Sequence, residues 1–357
     1  MRVCILGGGL SSLTLAKALV NQNIYVDLIG QKQPLKINKT RTIGISKSNV
    51  EFFNKNIINI NKIIWKIKKI EVFSDNLKNE KILNFKNKYS HIFSIVKNFK
   101  LYEILEKSLL KNKYFNKIKI NKKKNLLEEY NLVINTDYNN LLTKKYFHQY
   151  IEKKYNSRAY TTILKHQRIT NDVATQIFTK KGPIAFLPIS NMETSVVYSA
   201  YNSINSNEDI KKSIHNYNIK YKISKINKIE NFELKALNLR SYYHKNILAF
   251  GDLLHKIHPL AGQGFNMTIR DITFLLKIIS NKKILGLPLD QSINYEFEKN
   301  VKHKNFIFSN GIDLINEFFN FERKTNISLL SKSVKILGNN FSVNEMFRKI
   351  ADKGINF

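Results

Sequence analysis

Cysteine occurs once in the 357 residues, as Cys4, so the chain can build neither a disulfide framework nor a cysteine-based metal site, and a reducing cytoplasm suits it. Proline occurs five times and glycine 13 times, and no structureless linker or internal repeat interrupts the text. No apolar run approaches the roughly 18 residues of a spanning helix, and the apolar stretch in "MRVCILGGG" is too short for a secretory signal; a protein integral to a membrane is not expected. Acidic residues are also scarce, 27 against 59 Lys and Arg, for a formal charge of +32. The excess is mostly lysine spread through nearly every segment beside Asn and Ile, rather than clustered with Arg and aromatics. That pattern argues against nucleic acid and reads first as compositional bias on a solvated surface, then as attraction to an anionic membrane face or an acidic partner.

What is present is a core: 43% of residues are hydrophobic, enough for one large or two medium domains. "RVCIL" at 2–6, a glycine turn, the helical pattern "LSSLTLAKALVNQ" and "IYVDLI" make strand, turn, helix, strand, the unit of a parallel sheet with its ligand crevice at the carboxyl ends of the strands. The text from 61 to 95 is β-like, 98–112 reads as an amphipathic helix and 131–135 as a buried strand. A second β-rich block runs from about 159 to 200, "NILAFGD" near 246 is again a buried strand, and the chain after Gly264 is helical in pattern. Two interleaved domains follow from this order.

Gly7-Gly8-Gly9-Leu10-Ser11-Ser12 fits the dinucleotide fingerprint G-x-G-x-x-G with Ser12 in the third place. Gly7 makes the tight turn, Gly9 lets backbone approach a pyrophosphate, and Ser12 is a small substitute where helix and sheet pack closely. A ribose-binding carboxylate is expected at the end of the second strand, but "VDLIGQK" offers Gly30 and Gln31 there; Asp27 comes three residues early and reads as a strand residue, leaving Gln31 as a partial substitute.

The longest motif is "GDLLHKIHPLAGQGFNMTIRD" at 251–271. With Gly251, Asp252, His255, Pro259, Gly262, Gln263, Gly264, Asn266, Arg270 and Asp271 in register, it resembles the third fingerprint of the flavin-dependent aromatic hydroxylases, in particular the ubiquinone-biosynthesis hydroxylase family. The resemblance implies FAD, with Asp252 delivered to its ribityl and phosphate region and the Gly262–Gly264 turn presenting backbone N–H groups at a helix N-terminus to the flavin's pyrimidine edge. By the same resemblance, Arg41 in "TRTIGISKSN" is a candidate FAD contact, and "GPIAFLPISNMETSVVYS" is similar to a strand pair of the family's substrate domain. The family's middle motif, an Asp-Gly after a strand, stands here as Asp137-Tyr138 in "NLVINTDYNN". A bulky residue in a glycine position implies changed backbone geometry and leaves the electron donor open between NAD(P)H and a ferredoxin-type reductant.

The resemblance therefore implies an α/β protein with a doubly wound, Rossmann-like FAD domain from about 1–68, 96–150 and 238–285. An antiparallel substrate domain from about 69–95 and 151–237 is interleaved with it, followed by a helical region at 286–357. The implied reaction is hydroxylation of a polyprenylated phenol on the way to ubiquinone, in which reduced FAD captures O2 as a C4a-hydroperoxide and a water-poor cavity protects it. A non-catalytic subunit that presents lipid within the biosynthetic complex and a flavin-dependent lipid reductase are the alternatives. No catalytic side chain is singled out, and no metal is expected, because His255 and His258 lack an accompanying carboxylate cluster. Trp65 reads as core or as lining of a substrate tunnel. Ile327, Leu330, Val334 and Leu337 fall at helical spacing beside Lys332 and Lys335, a pattern that packs on the domain or docks on a membrane surface or partner.

Overall fold

The computed structural model describes residues 2–30, 38–77, 80–86, 90–118, 129–201, 206–325 and 329–355. The chain opens with β1 (Arg2–Leu6), α1 (Leu10–Val20) and β2 (Tyr25–Ile29). It continues through β3 (Thr42–Ser46), α2 (Lys47–Asn56), β4 (Ile64–Ile67), β5 (Lys69–Ser74), β6 (Glu80–Lys86) and β7 (Phe93–Lys97). Next come α3 (Asn98–Leu110), β8 (Phe115–Ile118), β9 (Leu132–Asn135) and α4 (Leu141–Tyr146). The second β block comprises β10 (Tyr150–His166), β11 (Val173–Thr179), β12 (Gly182–Pro188) and β13 (Glu193–Tyr201), then α5 (Asn207–Tyr217), β14 (Ile223–Ile226) and β15 (Glu230–Leu239). Short β16 (Tyr243–His244), β17 (Ile247–Ala249) and β18 (His255–Lys256) precede the helices α6 (Gln263–Ile284), α7 (Ser292–Thr325), α8 (Leu329–Asn339) and α9 (Phe341–Lys353).

Six strands form one sheet in the order β16-β17-β9-β1-β2-β8, parallel throughout except for the β16–β17 pair. Helices cover it, so its strands carry unbroken apolar runs such as Val3-Cys4-Ile5-Leu6 and Leu132-Val133-Ile134, all buried. Burial pushes the Cys4 thiol up to about 12, which leaves it inert at neutral pH. Helix α3 places Leu101, Leu105 and Leu109 on one buried stripe, the i, i+4 spacing its sequence announces.

A larger, mostly antiparallel sheet runs β18-β15-β10-β13-β12-β11-β5-β6, with β14 also paired to β10 and β5 parallel to β11. Its own core, including Leu164, Ile184, Val196 and Tyr198, is closed by Ile210 and Ile214 of α5. A three-stranded sheet, β3-β7-β4, lies between the two. Two strands sit differently from the sequence-based division: β7 straddles the expected end of the 69–95 segment and pairs with β3 and β4. Strand β18, inside the 251–271 motif, pairs with β15 of the large sheet through Leu237–Lys256 and Asn238–His255. The motif thus stitches the two domains together rather than belonging to one.

Candidate active site

The turn after β1 is set by Gly7, whose φ of +119° is one that L side chains rarely adopt; a Cβ there would also come within 2.2 Å of Thr136 Oγ1. Ser12, buried in the first turn of α1, lies 2.6 Å from the same Thr136 Oγ1. Because Thr136 donates its hydroxyl proton to the Leu6 carbonyl, Ser12 is the donor of that pair. The serine in the third glycine position is therefore accommodated by a partner at the end of β9. Gly9 caps α1 without a side chain and has nothing within 4 Å of where its Cβ would stand. The N-terminus of α1 is thus bare toward a cavity of about 1560 Å³ lined by Gly7, Gly9, Ser12, Arg41, Asp137 and Asp252 among others.

A second bare helix N-terminus opens into the same cavity. Gly262 caps α6 at φ +62°, ψ 28°, and its Cα faces Gly44 of β3 closely enough that a Cβ would lie 3.4 Å from the Gly44 Cα. Asn266 locks this junction: its Nδ2 donates to the Gly44 and Gly262 carbonyls, and its Oδ1 accepts from Ser46 N and Asn49 Nδ2. Its side-chain amide is fully engaged within the protein, so the Asn266 side chain fixes the turn in place. Pro259, Gln263 and Gly264 line the cavity, and at Gly264 a Cβ would make only ordinary contact with Ile257. Gly251, at φ +67°, packs against Ser11 at the start of α1, which brings the first and third fingerprints together.

Asp252 is exposed to the cavity and has no bonded partner among the described residues. Asp137 accepts from Asn139 N through Oδ1. Tyr138 takes an ordinary negative φ, since the non-glycine residues with positive φ are Asn23, Asn156 and Lys245. The tyrosine thus imposes no left-handed geometry; its ring is half exposed at the cavity wall, its hydroxyl 3.4 Å from that of Tyr150. Arg41 is exposed on the wall with its guanidinium 5.7 Å from the Phe232 ring centroid. Asp27 is a strand residue: buried, it accepts from Tyr130 at 2.7 Å and pairs with Arg2 at 2.6 Å. Gln31 lies outside the described residues; Gly30 beside it has open space where a side chain would project.

The two histidines of the motif are internal. His255 Nε2 sits 2.6 Å from Asp271 Oδ2, and Asn305 donates to the other carboxylate oxygen. His258 packs edge-on to Tyr155 at 5.0 Å, and burial drives its pKa down to about 4. No group of three or more His, Cys, Asp or Glu able to hold a metal occurs among the described residues. Trp65 belongs to a small core with Ile67, Phe93 and Ala174 and donates to the Asn171 carbonyl.

Away from the glycine turns the cavity becomes apolar, walled by Val72, Leu83, Phe178, Leu187, Phe318 and Phe319. Its outer wall is the C-terminal region, which sequence reasoning did not attach to the site. Helix α8 occupies most of the expected 327–337 segment; Val334 and Leu337 line the cavity and Lys335 pairs with Glu80 at 2.7 Å. Ile327 and the Leu330 side chain lie outside the described residues. At the end of α9, Asp352 accepts from Ser48 N through Oδ1, while its carbonyl accepts from the hydroxyls of Ser46 and Ser48. Contacts separated by some 304 positions leave no local signal that could have revealed them.

No family model matches the chain. It is 24% identical over 248 residues to the ubiquinone biosynthesis monooxygenase COQ6, mitochondrial, of Xenopus tropicalis, covering 57% of this chain and 53% of the relative. It is 29% identical over 151 residues to the 3-demethoxyubiquinol 3-hydroxylase of Escherichia coli, covering 40% and 39%. The chain thus spans about half or less of the length of these curated relatives. In fold it matches p-nitrophenol 4-monooxygenase PnpA of Pseudomonas putida with a TM-score of 0.78 at 11% identity over 98% of both chains. It also matches HpxO of Klebsiella pneumoniae, solved with FAD and uric acid, with a TM-score of 0.76 at 11% identity over 99% and 97%. The chain is accordingly similar over part of its length to hydroxylases of ubiquinone biosynthesis, and it shares the fold of solved monooxygenases, one of them holding FAD.

Proposed function

We propose that the protein is an FAD-dependent monooxygenase that uses O2 to hydroxylate the ring of a polyprenylated phenol in ubiquinone biosynthesis. The observation that carries this reading is that two uncapped helix N-termini, those of α1 and α6, open into one cavity whose far part is apolar. The residues present fit the cofactor. Gly9 leaves space for a pyrophosphate against the free amides of α1, and a helix N-terminus is suited to an anion. Asp252 is free to accept from ribityl hydroxyls. Gly262 and Gly264 leave the start of α6 bare, so its amides can stabilise negative charge on a flavin ring. When bound, FAD supplies the activation of oxygen.

The chain's own residues orient and shield. The junction fixed by Asn266 holds the α6 turn against β3, so the cradle needs no rearrangement on binding. The apolar walls, with Phe178 and Phe319 stacked at 3.6 Å, exclude water and fit an isoprenoid tail. The reductant is NAD(P)H or a ferredoxin-type protein. The proposed location is cytoplasmic, peripheral to the inner face of a membrane; among the described residues no helix is long and apolar enough to cross one.

Uptake of FAD tests the reading directly: the wild-type protein should purify yellow or take up added FAD, and Gly264→Val should prevent it. The missing carboxylate at Gly30 favours one second reading, a non-catalytic, lipid-presenting subunit. A colourless protein that ignores added FAD decides for that one.

A further inference from the structure

The outer opening of the cavity has a composition that neither catalysis nor ordinary folding calls for. Leu314, Ile315, Leu337 and Phe347 line the cavity and are also 70%, 44%, 49% and 40% exposed. They come from three helices, α7, α8 and α9, that converge on one rim. Ile336 and Met346, next to Leu337 and Phe347 in the chain, do not line the cavity and are 72% and 51% exposed. Scattered exposed apolar residues are normal, but a contiguous apolar surface around an opening marks an interaction site.

Charge narrows the partner. Residues 329–355 carry five cationic side chains, Lys332, Lys335, Arg348, Lys349 and Lys353, against Glu345 and Asp352. Lys335 is held by Glu80, and Arg348 and Lys349 lie near Glu345, at 3.6 and 3.3 Å. Lys332, one helical turn before Ile336, has no ion-pair partner among the described residues, so unneutralised positive charge lies beside the exposed apolar face of α8. Exposed apolar side chains beside an unpaired lysine, on a C-terminal region with more cations than anions, match an anionic bilayer, where hydrocarbon lies beneath a negative headgroup layer.

The rim is also anchored. At the start of α8, Ser331 N donates to Glu322 Oε1 at 2.7 Å, and the Ser331 hydroxyl lies 2.9 Å from that of Ser74 in β5, all buried. At the far end, Asp352 fastens α9 to the β3–α2 junction. The surface is therefore presented by fixed helices rather than by a loose tail.

We infer that the rim formed by α7, α8 and α9 is a docking surface for an anionic lipid bilayer, seating the cavity mouth on the membrane so that a lipid substrate enters without crossing water. This rests on the proposed polyprenyl substrate and names the surface through which that substrate arrives.

The test uses the full FAD-loaded chain with vesicles of phosphatidylcholine alone or mixed with phosphatidylglycerol. Wild type should sediment with the mixed vesicles and far less with the neutral ones, and added salt should release it. Ile336→Glu with Met346→Glu should weaken sedimentation on the order of tenfold or more, and Lys332→Glu several-fold, with unchanged melting temperatures. Turnover of a short-chain soluble phenol should stay at the wild-type level while turnover of a long-chain phenol in vesicles falls. Wild-type protein that ignores anionic vesicles, or variants that sediment as wild type does, overturns the docking surface. Failure to take up FAD or to hydroxylate the short-chain phenol instead overturns the proposed function, whatever the vesicles show.

Discussion

His255 Nε2 lies 2.6 Å from Asp271 Oδ2, so the two ends of the 251–271 motif close on each other inside the protein. The loop between them, which carries Pro259 and the Gly262–Gly264 turn, is held at both ends, with Asn305 of α7 fixing the second carboxylate oxygen. Asp271→Ala would leave the side chains of His255 and Asn305 buried without this partner. A loss of about 3 kcal/mol of unfolding free energy is expected, measured by urea denaturation, with FAD affinity falling as the loop loosens. Asp271→Asn, which keeps the shape, should lose less.

Asp252 provides the opposite case. It is exposed and makes no internal bond, so Asp252→Ala should leave the melting temperature within about a degree of wild type, since surface substitutions of this kind stay within about 0.5 kcal/mol. FAD dissociation, followed by flavin fluorescence on dilution, should nevertheless speed up by tenfold or more, as expected for a lost hydrogen bond to a charged group worth about 1.5–3 kcal/mol.

At Gly30 the missing ribose carboxylate can be restored. The residue has no positive φ and has open space around its Cβ direction. Gly30→Glu should therefore fold normally and tighten FAD binding by up to about ten- to a hundredfold in a titration. Unchanged affinity would show that another group already holds the ribose.

His258 makes stability depend on pH. Its pKa falls from the ordinary 6.5 to about 4 because burial disfavours the charged ring. Between those values the unfolded chain binds the extra proton, so this stability is present above about pH 6.5 and is lost as pH falls toward 4. Lowering the pH from 7 to 5 should cost wild type about 2 kcal/mol more than it costs His258→Phe, compared by denaturant unfolding of both proteins at each pH.

The sequence made the cradle legible because its signals are local. A glycine at φ +119° or +62°, a strand of unbroken apolar residues and a helix that starts without a cap each announce themselves within a few positions. The same locality explains what was missed. Asn266 stands in register with residues expected to bind the cofactor, and the sequence gives no sign that its side chain also bonds to Gly44 and Ser46, over 200 positions away. The sequence shows Lys335 only as a basic residue beside an apolar helical stripe, because Glu80, its partner, lies 255 positions earlier. Tyr138, which stands where the family pattern has glycine, takes an ordinary negative φ in this chain. The outer wall of the cavity was illegible for the same reason, since α8 and α9 acquire their role only by packing across β3, β5 and β6.

The proposed activity inserts an oxygen atom from O2 into a phenol ring through a bound flavin. Single-turnover oxygen labelling tests it most directly. FAD-loaded protein, reduced chemically so that no electron donor has to be known, is mixed with a short-chain 2-prenylphenol under 18O2, and the product is weighed by mass spectrometry. The expected product is a hydroxylated phenol carrying one labelled oxygen, formed by wild type and absent when Gly264→Val replaces it. A hydroxylated product without the label, or reoxidation of the flavin with the phenol left intact at every chain length, would contradict it.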